Sequence, residues 1–204
     1  LGSIYWHMVY KLLLAVQECC LKAVAEKESE EVIGRLLEHY YEINAGIGVH
    51  KSPQLYGAFP TDPYSHTPAG RGAQQPGMTG QVKEDILSRF GELGVFIKDG
   101  QFHFNPCLLK KEEFLKESAV FNYIDVEGAT KQIKLAKNSL CFTYCQVPIV
   151  YKISVKSGLE IVHKNGKATK LASTSLGKAR SQQIFERTGE VTQIIVNIKE
   201  TILK

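Results

Sequence analysis

The side chains best suited to chemistry lie in one segment rich in proline and glycine, Gly46–Gln81. It contains five of the seven prolines, so neither a helix nor a strand ladder can run through it. It also carries a carboxylate, imidazoles, amides and aromatic rings but few charges, whereas disordered linkers are poor in aromatic residues and rich in charge. A connection of this length inside a compact domain is usually either functional or disordered. The composition therefore predicts an ordered loop packed over a site.

The only acid inside the proline-rich part of this loop is Asp62, which makes it the local candidate for a catalytic base. A glycosidase that inverts configuration needs two carboxyl groups on opposite sides of the scissile bond, with room for a water molecule. Asp62 would supply one of the two. Within Pro60-Thr61-Asp62-Pro63 the same side chain could instead hold a turn, because Asp commonly bonds to its own backbone.

The other candidates suit the recognition of hydroxyl groups or anions. An imidazole can bind phosphate, bond to a sugar hydroxyl or only satisfy loop carbonyls, and amides suit hydroxyls but equally the backbone. Aromatic rings can stack on sugars, although at helical spacing they more often pack in a core. The candidates for substrate binding are Trp6, Tyr64, His66, Gln75 and Gln81.

Three helices must position these groups. The apolar periodicity predicts a first helix that is apolar nearly all round, an amphipathic second helix capped by Ser29, and a third helix for which Gly91 and Gly94 are good terminators. In an α/α barrel, inner and outer helices alternate and run antiparallel, so the first and third would be inner helices. Their N-termini would then share one end with the long loop. The predicted spans are Ile4–Ala25, Glu30–Ala45, and from Thr79 or Gly80 to about Phe90.

The chain beyond Gly94 changes character to short β-rich runs around turn dipeptides, of which Asp99-Gly100 is the strongest hairpin signal. Six or more short strands with turns about every eight to twelve residues predict an antiparallel β-sandwich. The fold class is therefore α+β in two parts, a partial barrel over residues 1–94 and a sandwich over 95–204. The predicted strands are Val95–Lys98, Gln101–Phe104, Ala119–Val126, Lys131–Leu135, Ser139–Val147, Ile149–Val155, Glu160–His163, Ala168–Ala172, Ile184–Arg187 and Val191–Ile198.

Charge and cysteine usage narrow the function classes. The net charge of +4 is mild and Lys and Arg are spread along the chain, which disfavours nucleic acid as a partner. Five cysteines without framework spacing disfavour a disulfide scaffold, and no Cys or His spacing suits a metal. We expect neither a metal nor another cofactor, no membrane-spanning segment and a cytoplasmic location. A helix that is apolar all round needs burial on every side, so we expect the chain to be the C-terminal piece of a larger protein.

The runs Thr79–Leu87, Gly94-Val95 and Asp99–Pro106 together resemble the C-terminal part of inverting β-glycoside phosphorylases of the cellobiose phosphorylase type. In that family a Ser/Thr-Gly turn opens the last inner helix of an (α/α)6 barrel, a glycine ends that helix, and a hairpin begins a C-terminal β-domain. The resemblance implies that Thr79, Gly80 and His66 hold inorganic phosphate. A helix N-terminus suits an anion in any case, while the alternative is that Thr79 only caps its helix. The resemblance places the general acid outside this chain.

The leading expectation is the C-terminal portion of a carbohydrate-active enzyme, a glycoside phosphorylase or hydrolase that acts with inversion on β-linked glucosides. Its partners would be a disaccharide or oligosaccharide substrate and, for a phosphorylase, inorganic phosphate. The first alternative is a glycan-binding module without catalysis. The second is a purely structural loop that closes a barrel end or forms a homodimer interface.

Overall fold

The computed structural model describes residues 2–47 and 82–204, without the side chains of residues 2–7 and 82. The fold class is α+β, with helices in the first part of the chain and mostly strands in the second. The chain divides into two compact units, Leu1–Gly91 and Glu92–Lys204. No helix in the described ranges is both long and apolar enough to cross a membrane.

The first unit begins with an antiparallel helical hairpin. Helix α1 spans Gly2–Glu26 and helix α2 spans Glu30–Gly46. Lys27 takes a positive φ of 58° just after α1, the left-handed conformation that commonly ends a helix. The Ser29 hydroxyl then accepts a hydrogen bond from the Val32 N–H at 3.3 Å, as an N-cap does. The predicted second helix and its cap are confirmed.

Helix α3 spans Val82–Leu93 and runs parallel to α1. Lys11 of α1 pairs with Glu84 of α3, and Gln17 of α1 pairs with the Ser88 carbonyl further along α3. Since both helices advance in the same direction between the two pairs, their N-termini lie at the same end. This is the arrangement predicted for the first and third helices.

The second unit begins with β1 (Val95–Lys98) and β2 (Gln101–Phe104), a hairpin turned by Asp99 and Gly100 at φ values of 51° and 73°. Two positive φ values define the turn that matches strand twist, so this predicted hairpin is confirmed. A second hairpin follows, and then a larger sheet with one helix, α4 (Lys178–Phe185). The later strands are β3 (Ala119–Ile124), β4 (Thr130–Leu135), β5 (Ser139–Tyr144), β6 (Val147–Ser154), β7 (Gly158–His163), β8 (Ala168–Leu171) and β9 (Val191–Lys199).

The larger sheet has the strand order β5-β6-β9-β7-β8. Three of its pairs are antiparallel, whereas β6 and β9 pair in parallel. The expectation of a wholly antiparallel arrangement is therefore wrong for this pair. A parallel neighbour needs a crossover connection, and here that connection contains β7, β8 and α4. A sandwich of two packed sheets stays a prediction, as does the (α/α)6 barrel.

The core of the second unit lies around Phe102, which is fully buried. Its ring stacks on Phe185 at 4.9 Å between centroids and meets Tyr144 edge-on. The Phe102 N–H donates to the Ser181 hydroxyl at 3.1 Å, and this bond ties β2 to α4. The first hairpin, α4 and the sheet therefore share one core.

Two further predictions at the strand level are wrong. Ile184–Arg187 was expected to be a strand, but Ile184 and Phe185 belong to α4, where Ser181 and Ile184, three residues apart, share the buried face. A break was expected at Pro148, but the turn lies at Cys145 and Gln146, both with positive φ. Pro148 lies inside β6 near its start, where a missing N–H is tolerated. Cys145 thus lies in the turn.

Candidate functional site

The candidate site of the first unit lies at the N-terminal end of α1. Because α2 is antiparallel to α1, and α3 is parallel to it, the end of α2 at Ile47 and the start of α3 at Val82 both lie at this end. Residues 48–81 therefore leave and rejoin the helices at one end of the group. We call this the loop end of the helical unit.

Most predicted site residues lie outside the part of the chain that the structure describes. The catalytic candidate Asp62 and the ligand-binding candidates Tyr64, His66, Gln75, Thr79, Gly80 and Gln81 all belong to this group. Trp6 lies in the first turns of α1, with its side chain undescribed. These assignments stay predictions.

A charged pair, Lys11 with Glu84, joins α1 to α3 near the loop end. Lys11 Nζ lies 2.8 Å from Glu84 Oε1, and the Glu84 side chain is fully buried whereas that of Lys11 is 56% exposed. Among the residues that the structure describes, neither oxygen of this carboxylate accepts a hydrogen bond from another residue, so the contact with Lys11 is an ion pair. This ion pair links α1 to α3 near the loop end.

The Lys11 ammonium decides the charge state of this carboxyl group. Burial by itself disfavours the charged form and raises the pKa of Glu84, but the contact with Lys11 and the bond to its own backbone N–H act against burial, helped by the charges of Lys11 and Lys83. The pKa of Glu84 therefore lies below its ordinary value. At neutral pH the carboxylate is ionised and accepts hydrogen bonds but does not donate them.

A buried amide, Gln17, joins all three helices one turn and a half further along α1. Its Nε2 donates to the Tyr40 hydroxyl of α2 at 3.1 Å and to the Ser88 carbonyl of α3 at 2.7 Å. Gly91 of α3 lies directly against this amide, and a β-carbon at that position would overlap it. The network fixes the relative positions of the helices that carry Lys11 and Glu84.

Sequence reasoning missed Lys11, Gln17 and Glu84 as members of a cluster. A signal existed for Gln17, since it occupies a position of the buried stripe that also contains Tyr10, Leu13 and Cys20. A polar side chain in such a stripe indicates a buried hydrogen-bond network. Glu84 gave no such signal, because acidic residues are common in the first turn of any helix.

One face of α1 is apolar and exposed. Met8 is 62% and Leu12 is 52% exposed, and Ala15 and Cys19 continue the stripe at helical spacing and are also exposed. On α3, Ile86 and Leu87 are likewise about half exposed. The described residues therefore leave apolar side chains of α1 and α3 uncovered.

No protein-family model and no curated protein matches this chain.

Proposed function

We propose that this chain forms the last helices and the C-terminal β-domain of a carbohydrate-active enzyme of the (α/α)6-barrel type. The enzyme cleaves a β-glycosidic bond with inversion, by phosphate or by water, and this chain supplies part of the cleft that binds the substrate or phosphate. The support is the resemblance at Thr79–Leu87 and Asp99–Pro106 together with the geometry of the loop end.

The observation that carries the barrel part of this proposal is the exposed apolar stripe of α1. An inner helix of an α/α barrel packs against helices on both sides, so it must be apolar over most of its circumference. The described helices bury only one stripe of α1 and leave Met8, Leu12, Ala15 and Cys19 exposed. Further barrel helices would cover these side chains in the enzyme.

The site part of the proposal rests on the meeting of three features at the loop end. The first is the N-terminus of α3, where the helix dipole attracts an anion. The second is the 48–81 segment with Asp62, His66 and Thr79, which begins and ends there. The third is the Lys11–Glu84 pair, in which Lys11 neutralises the Glu84 charge and so reduces the repulsion that Glu84 would exert on a phosphate. In a phosphorylase Thr79, Gly80 and His66 would hold that phosphate.

Ligand protection against thermal unfolding tests the proposal on the longer protein to which we assign this chain. A ligand bound only to the native state raises the melting temperature. We expect protection by phosphate, by β-linked disaccharides, or by both. Thr79→Ala should abolish the phosphate effect, and the matched variant Thr79→Ser, which keeps the hydroxyl, should retain it. Sulfate serves as the control for a general salt effect.

The remaining outcomes separate the rival functions. If sugar alone protects the protein, and Asp62→Asn abolishes turnover but keeps that protection, the protein is a hydrolase with Asp62 as base. Sugar binding without turnover would indicate a glycan-binding module. If neither phosphate nor any β-linked sugar protects the protein, the proposal is wrong, and the loop has a structural role.

A further inference from the structure

A cleft of mixed polarity in the second unit lies between the tip of the β3–β4 hairpin and one end of the five-stranded sheet. Its volume is about 250 Å³, and its walls include Tyr123, Asp125, Lys131, Gln146, Lys164 and Thr192. Sites that enclose drug-sized ligands have volumes of roughly 300–1,000 Å³. This cleft is therefore the right size for one small ring, not for an extended chain.

The charges around the cleft cancel in pairs. Lys131 Nζ lies 3.7 Å from Asp125 Oδ2, and Lys164 Nζ lies 3.1 Å from Glu127 Oε1. An anion would compete with carboxylates already bound to both lysines, and a cation would compete with the lysines for the same carboxylates. Among the described residues no group of acidic, His and Cys side chains is suited to hold a metal ion. The lining consequently favours a ligand that is polar but uncharged.

The walls of the cleft are held in place before any ligand arrives. Asp125 Oδ1 accepts hydrogen bonds from the backbone N–H groups of Glu127 at 3.0 Å and Ala129 at 2.8 Å. Gln146 Nε2 donates to the Asp125 carbonyl at 2.8 Å and so ties the hairpin tip to the β5–β6 turn. The backbone of the hairpin tip and the Gln146 amide are therefore ordered without a ligand, which lowers the conformational cost of binding.

Tyr123 gives one wall an aromatic ring with a hydroxyl donor. Its ring stacks on that of Phe121, with 6.3 Å between centroids and 19° between planes. Burial, and then the nearby Asp125 charge, raise the pKa of the Tyr123 phenol, so it stays protonated and able to donate at neutral pH. A sugar ring needs this combination of an apolar surface for its C–H groups and fixed polar groups for its hydroxyls.

We propose that the cleft formed by Tyr123, Asp125, Lys131, Gln146 and Lys164 binds one neutral sugar residue. This inference takes its ligand class from the proposed function, because both concern carbohydrate, but it concerns the second unit and is independent of catalysis. The cleft would hold a substrate or polymer by a terminal or branching residue.

Chemical-shift mapping on the whole chain tests this inference. Glucose, galactose and N-acetylglucosamine are titrated into isotope-labelled protein, with glucuronate as a charged probe. We expect at least one neutral sugar to shift the amide signals of the hairpin tip, the β5–β6 turn and residues 189–192, and glucuronate to bind more weakly. Tyr123→Ala should weaken binding about tenfold, the factor that corresponds to the loss of one aromatic contact.

Two further variants keep the test decisive. Tyr123→Phe retains the ring and should bind within a few-fold of the original protein even if Tyr123→Ala unfolds the hairpin. Lys170→Met changes a lysine of β8 outside the cleft and should not alter binding. Shifts confined to other surfaces, or absent for all neutral sugars, would overturn the inference. Thr79→Ala should leave these shifts unchanged, so the outcome here is separate from that of the phosphate test.

Discussion

The charge of the buried Glu84 carboxylate depends on its pairing with Lys11. A buried carboxylate without a counter-charge is costly, and removing one member of a buried ion pair is more destabilising than never having had the pair. Here the lysine is half exposed and the glutamate fully buried, so the ammonium keeps part of its hydration while the carboxylate depends on it. The charge of Glu84 is therefore maintained mainly by the contact with Lys11 from another helix, with smaller contributions from its own backbone N–H and the charge of Lys83.

The first prediction concerns the pH dependence of stability. Because the folded-state pKa of Glu84 lies below its ordinary value of 4.5, its contribution to the free energy of unfolding is fully present above that ordinary value. The contribution is lost as the pH falls through the lower, folded-state pKa. Glu84→Gln should therefore flatten the acid side of the stability curve, measured by urea unfolding between about pH 3 and pH 7.

A double-mutant cycle provides the control for this prediction. Lys11→Met alone leaves the buried carboxylate unpaired and should cost about 1–3 kcal/mol at pH 7. Adding Glu84→Gln to it should recover part of that loss. If the two changes are simply additive, the pair does not couple α1 to α3.

The second prediction compares two glycines that share a positive φ but differ in their surroundings. Gly94 has φ +67°, and a β-carbon there would overlap the backbone of Asn105 and Pro106, whereas Gly128 has φ +81° with open space around it. Gly128→Ala should cost about 1–2 kcal/mol from backbone strain alone. Gly94→Ala should cost clearly more, because backbone must also move. Equal losses in thermal unfolding would contradict the crowding at Gly94.

At the scale of elements, local signals predicted most of the described helices and strands. Their long-range packing was not predictable from those signals. Asp99-Gly100 defines its hairpin because the turn needs positive φ at two positions that these residues tolerate, whereas Gly166 alone has positive φ in the turn between β7 and β8. Ile184–Arg187 looked like a strand because β-branched and aromatic residues are adjacent there, yet Ser181 and Ile184 pack as one face of α4. The insertion of β9 beside β6, and the pairing of Lys11 with Glu84, join residues far apart in sequence, which no local pattern encodes.

The third prediction tests how α1 and α3 fit together. Gly91→Ala should destabilise the protein by about 1–3 kcal/mol, because the new methyl group overlaps the Gln17 amide and displaces its hydrogen bonds. Gln17→Ala should be destabilising alone, but in that background Gly91→Ala should cost much less. An undiminished cost in the double variant would show that Gly91 contacts something else.

At the scale of the whole molecule, the second unit contains its own core. Its fully buried side chains come from the first hairpin, the sheet and α4, and include Phe102, Ile149, Ile161, Ile184 and Ile194. The buried Tyr151 hydroxyl donates to the Leu93 carbonyl, which belongs to the same unit. A domain with its own core can in principle fold alone.

The fourth prediction follows from this division. Residues 92–204 produced alone should fold cooperatively, with one thermal transition and slow amide exchange in β6 and β9. The control is a chain of residues 92–190, which lacks β9. It should show neither a cooperative transition nor slow amide exchange in β6. A non-cooperative transition for residues 92–204 would mean that the helical unit is required for folding.

The central place of the last strand also determines when the sheet can form during synthesis. As the chain leaves the ribosome, β5–β6 and β7–β8 emerge first as two hairpins, and the edges of β6 and β7 that β9 later occupies have no neighbour. Those edges carry side chains such as Ile149 and Ile161, which are fully buried in the finished protein. Unpaired apolar strand edges are aggregation-prone. The nascent chain should therefore need chaperone protection until β9 has emerged and paired with β6 and β7.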